Sequence, residues 1–181
     1  MRATNEMTAL AVLSTVLLIL VGCAAAPVEA PKAQGVTTTA AARTLTISRK
    51  TSYQRESSIP EAVRTKCGLE EKIPAALKRE LGDEAVFADE ASANTPGRSL
   101  DLRITDVVSR AGGAFTGPKS LTVRGTLYEN GKQVGSFTAR RSDKYGGGAC
   151  LMLRRSIDEM AGDIKKWLES PGNEDRLGEA K

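Results

Sequence analysis

The chain has 181 residues, with 26 lysines and arginines against 22 acidic residues and no histidine. The lack of histidine excludes Ser-His-Asp and Cys-His catalytic pairs, as well as imidazole metal ligands. The three cysteines are too few and too far apart for a Cys₄ zinc site or a C-x₂-C redox motif. The formal net charge of +4 is mild, so we expect no nucleic-acid partner.

The N-terminal segment has the organisation of an export signal. Arg2 precedes an apolar run from Leu10 to Val21 that only Ser14 and Thr15 interrupt. The run is shorter than the ~20 residues of a membrane-spanning helix, which favours a signal peptide over residues 1–22. The alternative, a buried N-terminal helix, would leave an apolar helix with no partner in view.

The apolar run ends in Leu20-Val21-Gly22-Cys23, which resembles the lipid-attachment signal of bacterial lipoproteins. The resemblance implies cleavage between Gly22 and Cys23, and acylation of Cys23 by thioether-linked and amino-terminal chains such as palmitate. Ala24, where Asp would imply retention in the inner membrane, implies the periplasmic leaflet of the outer membrane in a Gram-negative host. Stable anchoring needs more than one acyl chain, so the membrane is the first expected partner.

Three segments follow the signal peptide. Residues 23–43 are predicted to be a lipidated flexible tether, because prolines and a glycine interrupt any long helix and nothing alternates. Residues 44–170 are predicted to form a single α+β domain, since this length supports one core. Residues 171–181 are predicted to be a polar tail.

The domain begins with a strand and then a helix. Leu45 and Ile47 alternate with polar neighbours, which predicts a strand. Ser58-Ile59-Pro60-Glu61 has the spacing of a capping box with proline in the first turn, which predicts a helix start. A second start is predicted near Gly68.

A helical stripe follows that second start. Apolar residues recur every four positions, at Leu69, Ile73, Leu77 and Leu81. Pro74 should kink this helix or make its first turn irregular, and Gly82 should end it. Glu84–Ala88 is a candidate strand, and residues 91–97 are predicted to be a loop.

The second half of the domain predicts a run of strands. Two of them show apolar alternation, at Leu100, Leu102 and Ile104 and then at Leu121, Val123 and Leu127. Residues 110–118 form a long connection between these two strands. Asn130-Gly131 predicts a two-residue hairpin turn after the second.

The return strand of this hairpin, about Lys132–Arg141, has an imperfect pattern. Pairing across the turn places Val134 opposite Leu127, yet Phe137 and Ala139 then fall on the other face. A β-bulge or helix cover on both faces would explain this, and the sequence does not choose between them.

The last element is a helix that ends before Pro171. Its apolar positions follow a 3.6-residue period, at Leu153, Ile157, Met160, Ile164, Trp167 and Leu168. The whole order predicts an α+β fold. It has one mainly antiparallel sheet of about four to five strands packed with two helices, ordered strand, helix, an uncertain strand, three strands and helix.

Cys67 and Cys150 remain once Cys23 is acylated. An exported domain meets an oxidising compartment, which favours a disulfide between the two. The rival hypothesis is a free reactive thiol whose pKa a helix N-terminus lowers, although no histidine is present to activate it.

Two surface features are candidate binding sites. The turn Gly146, Gly147 and Gly148 could hold an anion on backbone N–H groups, although a flexible joint between the last strand and the last helix is the favoured interpretation. A basic surface could face anionic lipid, glycan carboxylates or an acidic partner, where a solvated helix face is the plainer explanation; its residues are Arg140, Arg141, Lys144, Arg154 and Arg155.

The domain resembles the small α+β domains of Proteobacterial envelope lipoproteins. The resemblance lies in the strand–helix start, the glycine-rich hairpin and the final Ile164-Lys165-Lys166-Trp167-Leu168. It implies a non-enzymatic, lipid-anchored accessory module that binds another envelope protein, with no cofactor, metal or catalytic residue. The alternative is a lipoprotein that binds a small ligand or a glycan such as peptidoglycan, through residues 110–118 and 146–148. A hydrolase that works without histidine is a distant third hypothesis.

Overall fold

A mixed β-sheet frames the domain in the computed structural model, which describes residues 44–55, 59–109, 117–144 and 146–181. Its strands are β1 (Leu45–Ser48), β2 (Ser52–Tyr53), β3 (Ala85–Ala88), β4 (Arg98–Val108), β5 (Lys119–Glu129), β6 (Lys132–Asp143) and β7 (Asp175–Gly178). The helices are α1 (Glu61–Cys67), α2 (Leu69–Leu81) and α3 (Ala149–Glu169), and a 3₁₀ turn spans Gly82–Glu84. The predicted α+β class is confirmed.

The strand order is β3-β1-β4-β5-β6-β7, and β2 pairs with a further part of β4. The long strands β4, β5 and β6 are antiparallel, whereas the short strands β1, β2, β3 and β7 join their neighbours in parallel. The antiparallel core matches the prediction. The described residues hold seven strands where four to five were expected. The two that the sequence did not predict are β2 and β7, which have two and four residues and show no run of alternating apolar residues.

The helices cover one face of the sheet. The apolar stripes predicted for α2 and α3 are buried, and Leu69, Leu77 and Leu153 are completely inaccessible to solvent. They pack against the inward residues of the long strands, among them Leu100 and Val123. The second helix start near Gly68 is confirmed, since Gly68 separates α1 from α2 in a left-handed conformation.

Helix α2 continues through Pro74 rather than breaking there. Proline has no N–H, so the carbonyl of Glu70 lacks its partner within the helix. The backbone N–H of Thr51 donates to that carbonyl at 2.8 Å. The proline thus frees an acceptor that ties α2 to the segment between β1 and β2. Helix α1 begins at Glu61 after Pro60, and Ser58 of the predicted capping box lies outside the described residues.

The predicted hairpin forms, but its register corrects the expected pairing. Asn130 and Gly131 make the two-residue turn, both with positive φ. The register shifts between Leu127 and Tyr128, so Leu127 pairs with Gly135 and not with Val134. This β-bulge moves the later residues of β6 by one position and returns Phe137 to the core.

The sequence predicted that residues 171–181 are a polar tail. In the structure this segment instead belongs to the fold. β7 lies parallel to β6, with Phe137 opposite Asp175. The Asp175 carboxylate accepts hydrogen bonds from the indole N–H of Trp167 at 2.8 Å and from the N–H of Gly172 at 2.9 Å. The segment is held at the edge of the sheet by hydrogen bonds of polar groups. Its sequence therefore shows no periodic pattern of apolar residues from which the strand could be predicted.

Two aromatic rings of the core occupy space that two glycines leave open. A β-carbon on Gly125 would lie 2.3 Å from the ring of Phe137, and one on Gly135 would lie 2.9 Å from the ring of Trp167. The two rings meet edge to face with centroids 4.7 Å apart. Because interiors are close-packed, these glycines fix where α3 rests on the sheet.

A disulfide joins the two helical regions. Cys67, the last residue of α1, is bonded to Cys150 in the first turn of α3 across a sequence separation of 83. Cys67 is buried, and Cys150 packs against the same core. The predicted pairing of these two cysteines is therefore present.

Substitution of Gly125 by alanine should lower the free energy of unfolding by about 1–3 kcal/mol, because the new methyl group overlaps the Phe137 ring. Gly162→Ala is the matched control. Apart from the chain neighbours and the backbone of α3 itself, no atom lies within 4 Å of a β-carbon at that position. Alanine should therefore stabilise the protein by about 0.5–1 kcal/mol. Urea unfolding measures both values, and an unchanged Gly125→Ala protein would contradict the packing.

Loss of the disulfide should cost up to about 4.5 kcal/mol in the chain-entropy treatment, because the bond closes a loop of 83 positions. Urea unfolding of Cys67→Ala/Cys150→Ala against the oxidised protein measures this loss. Mass spectrometry after alkylation gives an independent result. We expect two alkylated thiols only after reduction, and two without reductant would refute the bond.

Candidate functional site

The glycine turn before α3 is occupied by the protein's own side chain. Gly147 has a φ of 125°, and Gly148 caps α3 in an extended conformation. The guanidinium of Arg155 donates to the carbonyl of Gly146 at 2.9 Å. This contact braces the turn against α3, and it places a cation beside the backbone that was predicted to receive an anion.

The five predicted basic residues do not form one continuous surface. Arg141 faces the helices and donates two hydrogen bonds of 2.7 Å to Asp163, with Glu159 at 3.7 Å. These bonds to Asp163 raise the pKa of the Arg141 guanidinium, and burial opposes the shift more weakly. Arg155 forms an ion pair of 2.6 Å with the buried Asp143.

The other three of these residues are exposed in different places. Lys144 follows β6, and Arg154 lies on α3. Arg140 is exposed next to the buried Ala139, so by strand alternation it lies on the sheet face opposite the helices. Two of the five predicted cations are therefore neutralised, and the remainder are divided between two sides of the domain.

Charged residues are buried where β5 begins and β6 ends. Lys119 and Asp143 lie opposite each other in register, and they are 2% and 6% exposed. Burying a charge is costly unless it is paired, and the Arg155 ion pair meets that need for Asp143. Lys119 was not among the site residues predicted from the sequence. Counting back from the hairpin turn would have placed it opposite Ser142, and only the β-bulge moves it to Asp143.

A phenol lies at the junction of β2 and α1. The Tyr53 ring has the Arg64 guanidinium 4.4 Å from its centroid, which is a cation–π contact. Burial is the main cause that raises the pKa of Tyr53, followed by the negative charge of Glu70. The contact fixes α1 beside the sheet, close to the disulfide.

The sheet face opposite the helices is broad and polar. Register aligns Arg103 of β4, Arg124 of β5, Thr138 of β6 and Arg176 of β7 in one row across four strands. We call this surface the open face. It lacks helix cover because the helices contact the other side of the strands.

Two adjoining depressions lie along the open face. One, of 380 Å³, is lined in part by Asp101, Arg103 and Tyr128. The other, of 550 Å³, is lined in part by Gln133 and Arg176. Arg124 and Thr126 line both depressions, so the two are neighbours on the open face.

Arg103, Arg124 and Arg176 were not among the site residues predicted from the sequence. Strand alternation could have placed two of them on the outer face of the sheet, because Arg103 and Arg124 each lie between two inward-facing residues of a strand. Their alignment depends on a bulge in each sheet pairing, after Ile104 and after Leu127, and a single sequence does not locate either.

Gly22 and Cys23 lie outside the described residues, as do residues 110–116 of the predicted long connection. Within the described part, no three side chains of the His, Cys, Asp or Glu types come together as a metal site. Among the described helices, none combines the length and apolar character needed to cross a membrane.

No protein-family model and no curated protein matches the chain. Solved structures match at low identity. A minor lipoprotein from Acinetobacter baumannii is 15% identical, covers 71% of this chain and 94% of that chain, and has a TM-score of 0.41. The PelC dodecamer from Paraburkholderia phytofirmans is 15% identical over 65% and 85%, with a TM-score of 0.44. A protein from Xanthomonas campestris is 10% identical over 69% and 83%, also with a TM-score of 0.44. Scores of this size assign the chain neither a family nor a function.

Proposed function

We propose that this chain is a lipid-anchored module of the bacterial envelope that binds another envelope component and catalyses no reaction. The observation that carries the proposal is the lipid-attachment sequence Leu20-Val21-Gly22-Cys23 ahead of a disulfide-bonded domain. The disulfide supports export, because such bonds persist in oxidising compartments. It also accounts for Cys67 and Cys150, which leaves Cys23 as the cysteine for the lipid.

The tether gives the proposed module its reach. Residues 24–43 would span about 25 Å as a flexible chain, taking 5–6 Å multiplied by the square root of the residue number. The domain can then stand away from the lipid surface and meet components within that distance. Ala24 supports the periplasmic leaflet of the outer membrane as the place of attachment.

The charged side chains favour a binding role. On the helix side, acids and bases are engaged with one another, as in the ion pairs of Arg141 with Asp163 and of Arg79 with Asp158. Such pairs add little stability where they are exposed, but they engage the charged groups with one another and leave little chemistry for a substrate. The open face instead presents polar side chains to solvent over two adjoining depressions, which favours the second candidate function, a glycan-binding lipoprotein.

Cys23→Ser should release the protein from membranes, because no acyl chain can then attach through the thioether. Fractionation of Gram-negative cells, followed by a salt wash of the membrane pellet, measures this. Ala24→Asp is the matched control, since it should keep the protein in membranes but move it to the inner-membrane fraction. Retention of Cys23→Ser in the washed pellet would contradict the anchor.

Crosslinking followed by affinity purification, with and without Cys23→Ser, separates the two candidate functions. A defined envelope protein that is recovered only with the anchored form supports the accessory module. Retention on isolated peptidoglycan without a protein partner supports the glycan-binding lipoprotein.

A further inference from the structure

We propose that the open face binds an acidic polysaccharide, whose strand crosses β4, β5, β6 and β7 with its carboxylates on Arg103, Arg124 and Arg176. This inference rests on the proposed envelope-binding role and names the component that is bound. It concerns the sheet face opposite the helices, and not the glycine turn or the basic residues of α3.

Two arginines of the row, Arg124 and Arg176, make no ion pair or hydrogen bond with the described residues of the fold. Arg103 and Arg124 lie directly opposite each other on neighbouring strands, and like charges in such cross-strand positions are unfavourable. Arg103 donates to Asp101 at 3.0 and 3.2 Å.

The geometry of the row suits a linear chain of anions. From β4 to β7 it covers three strand spacings, about 14 Å. Arg124 and Arg176 can each hold a carboxylate with two parallel hydrogen bonds, and Arg103 can add the N–H groups that Asp101 does not use. A ligand with several carboxylates would therefore engage more than one arginine at once. Asp101 and Glu174 also line the depressions, and they leave the row with a net positive charge.

The side chains around the arginines favour a sugar over a lipid surface. They carry hydroxyl and amide groups that donate to and accept from sugar hydroxyls; they are Thr126, Tyr128, Gln133, Ser136 and Thr138. A lipid surface would be held by apolar side chains inserted beside the cations. On the open face, the positions beside the arginines carry polar side chains instead.

An acidic peptide fits this surface less well. Extended peptides gain most of their affinity by adding a strand to a free sheet edge. β5 is paired on both sides by β4 and β6, and β6 on both sides by β5 and β7. The centre of the open face therefore has no free edge, and a ligand must be recognised through side chains.

The test compares the purified full chain with two charge-matched double variants. Arg124→Gln/Arg176→Gln removes two cations of the row, and it leaves Arg103 in place because Asp101 is bonded to that side chain. Lys66→Gln/Lys166→Gln removes two exposed cations from α1 and α3, and neither residue belongs to the basic surface predicted from the sequence. Thermal unfolding of the three proteins confirms that all are folded, as expected for exposed substitutions.

Binding is measured by biolayer interferometry on immobilised polygalacturonate, with fully methyl-esterified polygalacturonate as the uncharged surface. We expect the original protein to bind only the charged polymer, and more weakly as salt is raised. The row variant should lose affinity by about tenfold or more, while the helix variant stays within about twofold. Equal losses in both variants would overturn the proposal, as would no binding to polygalacturonate.

Two further probes distinguish the ligand class. The probes are phosphatidylglycerol vesicles and polyglutamate. If either binds as tightly as polygalacturonate, and the row variant loses affinity for it to the same extent, the ligand is a lipid or a peptide and the proposal is overturned. Weaker binding of both supports it. All these measurements use purified protein, so their failure leaves the fractionation result for Cys23→Ser unaffected.

Discussion

Two aromatic rings that take the space of missing side chains hold the layers of this domain together. Phe137 lies over Gly125 and Trp167 lies over Gly135, and the rings meet edge to face. A ring and a β-carbon cannot share such a place in a close-packed interior, so the sheet accepts α3 in one position. The indole N–H of Trp167 then holds Asp175, which begins β7. The edge of the sheet thus depends on the packing of its centre.

The same packing gives the sheet two chemically different sides. On the helix side a charge loses its water, so Asp143 and Asp163 are held by arginines at 2.6 and 2.7 Å. On the open face the guanidinium groups of Arg124 and Arg176 keep their hydration and need no partner within the fold. The charges of Asp143 and Asp163 are therefore paired within the fold, whereas those of Arg124 and Arg176 stay exposed to solvent.

Local patterns predicted the elements, and long-range geometry decided the rest. The stripes of α2 and α3 and the Asn130-Gly131 turn follow from residues close in sequence, and the structure confirms them. The bulge after Leu127 has no sequence signature beyond an imperfect alternation, yet it sets which residues of β6 face inward. β7 depends on Asp175 reaching the indole of Trp167, and the arginine row depends on register across four strands. Neither is visible to a periodicity argument.

The two-residue turn also has a consequence for the order in which the strands of the sheet are expected to pair during folding. β5 and β6 meet through a loop of two residues, so their pairing has little loop-closure entropy to overcome. β1 must instead find β3 and β4 across most of the first half of the domain, in parallel. Contacts distant in sequence form late. We therefore expect the hairpin to pair early, and the parallel strands β1, β2, β3 and β7 to join the sheet late and to exchange their amide hydrogens first.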